Sequence, residues 1–506
     1  MKKTLAVLLC LVMLVAVCAC TPTEETSKAT SDVVSTESDV SAEESTETTV
    51  KYSANVPEGF KWGKEQFIIK STWADLSNLK YTEFGYGAED MEATVINDAV
   101  ATRNDIVEDI IGAEIVEDMV LSTDRFNTGE FVTIINQAID SGTAEFSAIT
   151  PSLYHAGALA LKGHMYDLTE IENMELQSEW WDAFFVEEAE VLGQLYFVTG
   201  DIGFYSRNSI TAVLFNKEIA ANLELENPYE LVRNNKWTFD TISKWSKLFS
   251  KDLDGDNVIG HLDQFGMGGQ NDNMWAFFYA AGETIAKSDE NGNPYMTIEG
   301  TRIPDIMAKI QEITTDTACY VNANKLWDYS LTPVALTTKA FVEDRSLLFC
   351  DAMLCIEDMR TMDTDFGILP CPLYDENQER YHSMLNPWNS SCLGIAINVL
   401  PDEVEDVAIV LNLLGAEAKN YITPAYVETT LKGQRLRDDD SEEMLDIILN
   451  NIGCDIGHIY DFAHLGINLL HKVNEGANFT TTYDSYKIWA NQDIQKLINT
   501  FEQLGE

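Results

Sequence analysis

Apolar and polar positions recur regularly enough along this chain to predict its elements before any chemistry is considered. Gln66-Phe67-Ile68-Ile69-Lys70 reads as a strand ending at Ser71-Thr72-Trp73. A helix follows over residues 93–111, and residues 113–120 read as a second strand. Phe131, Ile134, Ile135 and Ala138 recur at helical spacing and predict an amphipathic helix that stops at Ser141-Gly142. Phe146–Ile149 and Leu347–Phe349 are short apolar strands. GQLYFVTGD, residues 193–201, reads as a hairpin with Gly200-Asp201 as its turn. TAVLFNKEIAANL, residues 211–223, runs from a strand through Asn216-Lys217 into a helix. In residues 236–252 a helix starts near Thr238 or Asp240, with Ile242, Trp245, Leu248 and Phe249 on one face. Further stripes are Val404, Val407, Ala408, Leu411 and Leu414, then Met444, Leu445 and Ile448. Such stripes, with Trp237 and Trp245, belong to cores. Strands alternating with helices argue an α/β layered fold.

The amino terminus departs from this pattern. MKKTLAVLLCLVMLVAVCAC places Lys2 and Lys3 before an apolar run from Leu5 to Val17, which is short for a membrane span and flanked like an export signal. The next thirty residues are Ser, Thr and Glu with few large apolar groups, too little to offset ordering entropy, and predict a disordered tether. Its r.m.s. reach is on the order of 30 Å. The remaining roughly 450 residues exceed one ordinary core and imply two lobes. A formal net charge of −50 with no basic block excludes nucleic acid as a partner and disfavours anionic ligands. Cys319, Cys350, Cys355, Cys371, Cys392 and Cys454 show no zinc spacing and read as buried thiols; His458, His464 and His471 form no metal motif.

DLDGDNVIGHLD, residues 252–263, has the spacing of a calcium loop. Asp252, Asp254, Asp256 and Asp263 stand at positions one, three, five and twelve, Val258 offers its carbonyl at seven, and Ile259 is the apolar residue at eight. Asn257 replaces the usual glycine at six, which Asn tolerates, and Asp263 replaces the longer Glu. No exiting helix follows in QFGMGG. The expectation is a structural calcium staple, with no cofactor required; the alternative is a turn ordered by its own Asx contacts.

The order of signals resembles a known family. Val17-Cys18-Ala19-Cys20 is similar to a lipoprotein box, with Cys20 as the acylated residue. An L-F-N-K strand end, a W-T-x-D-x-I helix, the D-x-D-G-D loop ending D-Q-F-G and P-A-Y-x-E-T-x-L follow. Together these resemble the lipid-anchored solute-binding proteins of bacterial ABC importers in the maltose-binding-protein cluster, of Gram-positive type. The resemblance implies a two-lobed periplasmic-binding-protein type II fold, α/β, with hinge strands and a ligand cleft between the lobes. It divides the chain into a signal (1–19), a tether (20–51), lobe 1 (52–205, returning over 387–440) and lobe 2 (206–386 and 441–506). Crossings fall near Phe204–Ile210 and Asn386–Ile395. It implies a monomer on the outer face of the membrane that hands a small neutral solute, an oligosaccharide first, to permease subunits. The rival reading is a cell-surface glycan hydrolase with a structural calcium; a third is a sensory subunit presenting ligand to a membrane kinase.

Sugars offer C–H faces that pack on aromatic rings and hydroxyls that need directed acids and amides. Residues of those types near strand ends and crossings are Trp73, Ser152, Tyr154, Asp201, Tyr205, Asp272, Trp275, Asp351, Trp388 and Asn389. Trp180 and Trp181, in a polar stretch, are weaker candidates. No catalytic nucleophile motif or phosphate-cradling glycine loop is present.

Overall fold

The computed structural model describes residues 51–74, 81–87, 94–126, 128–143, 145–432 and 438–506. The signal, the tether and Cys20 lie outside the described residues. The first sheet begins with β1 (Gln66–Trp73), whose Phe67 and Ile69 are fully buried. α1 (Val95–Ile111) is capped at its start by the Thr94 hydroxyl, which accepts from the Asn97 N–H at 3.1 Å. It is closed by Gly112 at φ 70°, a left-handed position that favours glycine. β2 (Glu114–Leu121), α2 (Glu130–Ser141), β3 (Ala148–Thr150) and α3 (Leu153–Ala160) complete the run. The strands are parallel in the order β2-β1-β3.

This sheet is not built from one stretch of chain. Ile149 bridges to Gly394 and Val198 to Leu393, so residues 393–396 return to its edge. Residues 193–201 therefore form no hairpin. Val191 and Gln194 close a tight turn, and Val198 pairs with the returning segment instead. α4 (Ala183–Ala189) and the short α5 (Phe204–Asn208) lead out of this body.

The second sheet is mixed, in the order β10-β4-β9-β5-β8. β4 (Thr211–Asn216) runs into α6 (Lys217–Asn222), where the Asn216 side chain accepts the Ile219 N–H at 2.9 Å. α7 (Pro228–Arg233) and α8 (Phe239–Ser246) precede β5 (Phe265–Gly269) and α9 (Asn273–Ala280). α8 starts at the Thr238 cap but stops at Ser246, so Leu248 leaves the apolar face and is exposed. β5 passes close to the end of this helix: a Cβ at Gly266 would meet the Ser246 carbonyl oxygen at 1.6 Å, so only glycine fits there. The small ribbon β6 (Ala286–Ser288) and β7 (Pro294–Met296), α10 (Ile303–Thr314), β8 (Tyr320–Asn322), α11 (Val334–Val342), β9 (Ser346–Ala352) and β10 (Phe366–Leu369) complete this body.

β11 (Ser383–Met384) leads back towards the first sheet, and α12 (Val404–Lys432) packs along α1. α13 (Asp439–Leu449) packs on β10, burying Met444, Leu445 and Ile448, and β12 (Ile452–Gly453) pairs with β11. α14 (Ile456–Ile459), α15 (Leu465–Asn474), α16 (Phe479–Asp484) and α17 (Lys487–Leu504) finish the described chain. α17 touches both bodies: Phe501 accepts from Gln194 and stacks edge-on with Tyr196, while the helix also contacts β7. Among the described residues the six cysteines are free thiols, five of them buried and Cys355 half-buried.

Candidate ligand cleft

In a parallel sheet the carboxyl ends of the strands carry the loops that can grip a ligand. β1 ends at Trp73, β2 runs into Ser122–Phe126, and β3 into Thr150–Ser152. On the second sheet β5 ends at Gln270–Asp272, β8 at Asn322 and β9 at Asp351.

Three rings from separate segments meet on the first side. Phe126 lies 4.8 Å from the ring centre of Tyr154 and 4.6 Å from that of Trp388. Trp388 is half-buried, on a turn held by the Asn386 side chain, which accepts its N–H at 2.9 Å. Asn389 is the next residue of that turn and is also half-buried. Burial raises the Tyr154 phenol well above its ordinary range, and Asp461, Asp272 and Asp455 push the same way.

The second side is acid and amide. Asp351 Oδ1 accepts from Gln270 Nε2 at 2.7 Å and from the Ala352 N–H at 2.7 Å, while Oδ2 has no hydrogen-bond partner among the described residues. Burial, with Asp272 adding, pushes the Asp351 carboxyl up to about 7. Asp272 stands at the start of α9, half-buried, and burial raises it too, against the pull of its own N–H and of His471. An amide ladder fixes this turn. Asn324 Oδ1 accepts the Asn271 N–H at 2.7 Å, and Asn322 Nδ2 donates to Asn271 Oδ1 at 2.8 Å. The Asp272 charge raises both Tyr154 and Asp351. Tyr154 and Asp351 are themselves buried, so the half-buried Phe126, Trp388, Asn389 and Asp272 are the groups that can meet a solute: ring faces for C–H surfaces, an amide and a carboxyl for hydroxyls.

The other sequence candidates are placed differently. Trp73 is buried, stacked on Tyr205 at 4.3 Å with the Arg125 guanidinium 5.2 Å from its ring. Tyr205 donates its hydroxyl to the Tyr81 carbonyl. Ser152 is fully buried as the cap of α3, accepting the His155 N–H at 3.3 Å and donating to the Arg125 carbonyl at 3.0 Å. Trp275 is sealed between α9 and α15, its indole N–H donating to the Gly466 carbonyl at 2.7 Å. Trp180 and Trp181 are buried, not on a polar surface, because both indoles donate to the Asn412 amide oxygen, at 3.0 and 3.3 Å. Asp201 pairs with Arg207 at 3.0 Å and Lys419 at 3.2 Å. It lines a separate cavity of about 500 Å³ between α4, α5, α12 and the end of α13.

Phe126 was not legible as a site residue, nor was the buried ionic group behind Trp73. Glu83 Oε1 accepts the Tyr205 N–H at 2.7 Å, and Oε2 accepts from the Ser391 hydroxyl at 3.4 Å. Arg103 Nη2 donates to the Glu83 carbonyl at 2.6 Å. In the 252–263 loop, Asp252, Asp254 and Asp256 bring carboxylate oxygens within 4.8 Å of one another, which suits a cation. Asp263 does not join them. It is buried, with Oδ1 accepting the Leu253 N–H at 2.7 Å and Oδ2 the Gly260 N–H at 2.8 Å, so it fastens the loop backbone. Val258 sits beside it with an exposed side chain, its N–H bonded to Asp256 at 2.7 Å.

No family model and no curated protein sequence matches the chain. Solved structures do. An ABC substrate-binding protein from Listeria monocytogenes in complex with cycloalternan is 13% identical, covering 86% of this chain and 99% of that one, with a TM-score of 0.51. A solute-binding protein of an ABC transporter from Agrobacterium radiobacter, in complex with ribitol, is 11% identical over 85% and 99% of the two chains, with a TM-score of 0.52. A cyclo/maltodextrin-binding protein complexed with maltotetraose is 11% identical over 87% and 97%, also at 0.52. At such identities the likeness is one of fold: the two-lobed α/β fold of type II periplasmic binding proteins.

Proposed function

We propose that the chain is an extracellular receptor that captures a small neutral solute, an oligosaccharide, and delivers it to an ABC-type importer without chemical change. The observation that supports this reading is the two-lobed fold, with the Phe126–Tyr154–Trp388 ring cluster at the strand ends of one lobe and Asp272 and Asp351 at those of the other. Proteins of the same fold hold cycloalternan, ribitol and maltotetraose. Acylation at Cys20 and the tether over 20–51 belong to the same proposal, since a receptor working as a monomer beside permease subunits must stay near the membrane. A calcium ion held by Asp252, Asp254 and Asp256 acts in it as a staple within lobe 2.

Thermal-shift screening against neutral oligosaccharides and polyols tests the reading. A solute present at a hundred times its Kd stabilises the folded chain by about 2.7 kcal/mol, which moves the melting temperature by several degrees. If no member of such a panel moves it, the reading fails. The Asp272–Asp351 pair, with one carboxyl pushed up to about 7, is the feature that would suit a glycan hydrolase. Mass analysis of the glycan after incubation separates the two: recovered intact for a receptor, shortened for a hydrolase.

A further inference from the structure

Where the chain passes between the lobes, near Ser206 and again near Ser391, it lines a small cavity. Glu83, Thr150, Thr199, Ser206 and Ser391 are its polar lining, and all five are buried. The space open to the centre of a water molecule is about 10 Å³, close to the least that one water needs. Glycine keeps this space open: a Cβ on Gly203 would stand 3.1 Å from Glu83 Oε1 and 3.6 Å from Ser391 Oγ.

The polar groups around it satisfy one another only in part. Glu83 Oε1 accepts the Tyr205 N–H at 2.7 Å, but the Ser391 hydroxyl reaches Oε2 only at 3.4 Å. Ser206 Oγ donates to the Gly203 carbonyl at 2.8 Å, which leaves its lone pairs to accept. Thr150, at the end of β3, is 4% exposed, and its Oγ1 has no hydrogen-bond partner among the described residues. A buried hydroxyl costs free energy unless something bonds it. The room is too small for an organic solute. Arg103 and Arg125, close enough to Glu83 to feel its charge, disfavour a metal cation.

We propose that this cavity is the site of a single water molecule, which accepts the Thr150 hydroxyl and donates to Glu83 Oε2 and Ser206 Oγ. It ties the end of β3 to the crossing at Ser206 and, through Glu83, to the crossing at Ser391. Any relative movement of the lobes bends these crossings, and a water keeps its bonds through small shifts that a packed side chain would resist. The bridge goes beyond the receptor reading and does not depend on it, since a chain that binds no glycan can still hold the water. Two measurements on the full chain, made without any solute, test it. A crystal structure is expected to show a water within hydrogen-bond distance of Thr150 Oγ1 and Glu83 Oε2. Thr150→Val keeps the shape and removes the hydroxyl. If that hydroxyl is bonded to a water, the melting temperature falls, by about 1–3 °C; if it is unpartnered, its removal relieves a desolvation cost and the melting temperature rises. The fall is expected. No water at that place, a cavity closed by a turned side chain, or a melting temperature unchanged or raised overturns the proposal. Should Thr150→Val fail to fold, the crystal structure of the unsubstituted chain decides alone.

Discussion

Glu83 shows how much a single carboxyl can govern. It holds Tyr205 on one chain crossing and Ser391 on the other. Burial pushes it up to about 8 from an ordinary 4.5; Glu117 adds to the rise, while the Tyr205 N–H and Arg103 oppose it. Between those two values the folded chain keeps a proton that the unfolded chain has lost, so stability falls as pH rises through this window. Glu83→Gln keeps an oxygen for the Tyr205 N–H and removes the titration. Its melting temperature is expected to fall less between pH 5 and 8 than that of the unsubstituted chain, by about 1–3 kcal/mol in stability. Asp351 and Asp455, both pushed up to about 7 by burial, titrate in the same direction and leave a residual slope. At the cleft, Trp388→Ala is expected to weaken binding of the best glycan about tenfold or more, read by calorimetry, with the melting temperature nearly unchanged. Asp272 and Trp388, half-buried at the candidate site, could be named from the sequence because acids and aromatics next to strand ends are visible there. Whether a ring's faces are already taken is not, and that is why Trp73, Tyr154 and Trp275, all buried, looked available. Glu83, Arg103 and Arg125 were invisible for the opposite reason: charged residues read as solvated until their partners, far along the chain, are known.

Element by element, periodicity served well where an element packs by one face. β1, α1, β2 and α2 stand close to their expected bounds, and the stripes on α12 and α13 are buried. It failed at residues 193–201, where apolar alternation reflects pairing with Leu393 and not a local turn. It also overran α8, which stops at Ser246, where Gly266 passes close. The loop over 252–263 makes a separate prediction. Chelation followed by millimolar calcium is expected to raise the melting temperature, by about 2.7 kcal/mol in stability at a hundred times Kd, and Asp254→Asn with Asp256→Asn is expected to abolish the rise. An unchanged melting curve removes the staple and leaves Asp263 as the loop's fastening.

For the molecule as a whole, the lobes are joined by chain that crosses more than once. A solute gripped by both lobes favours the closed arrangement by its differential affinity for it. Small-angle scattering is expected to show a smaller radius of gyration with bound glycan than without, and identical curves would contradict closure. The returning edge of the first sheet carries one more consequence. Cys392 donates its N–H to the Pro151 carbonyl at 3.0 Å, and these residues stand 241 positions apart. That sheet edge cannot close until the intervening chain, with all five strands of the second sheet, has been synthesised. Pairing across such separations is slow to nucleate, so closure of this edge is expected to be a late step of folding.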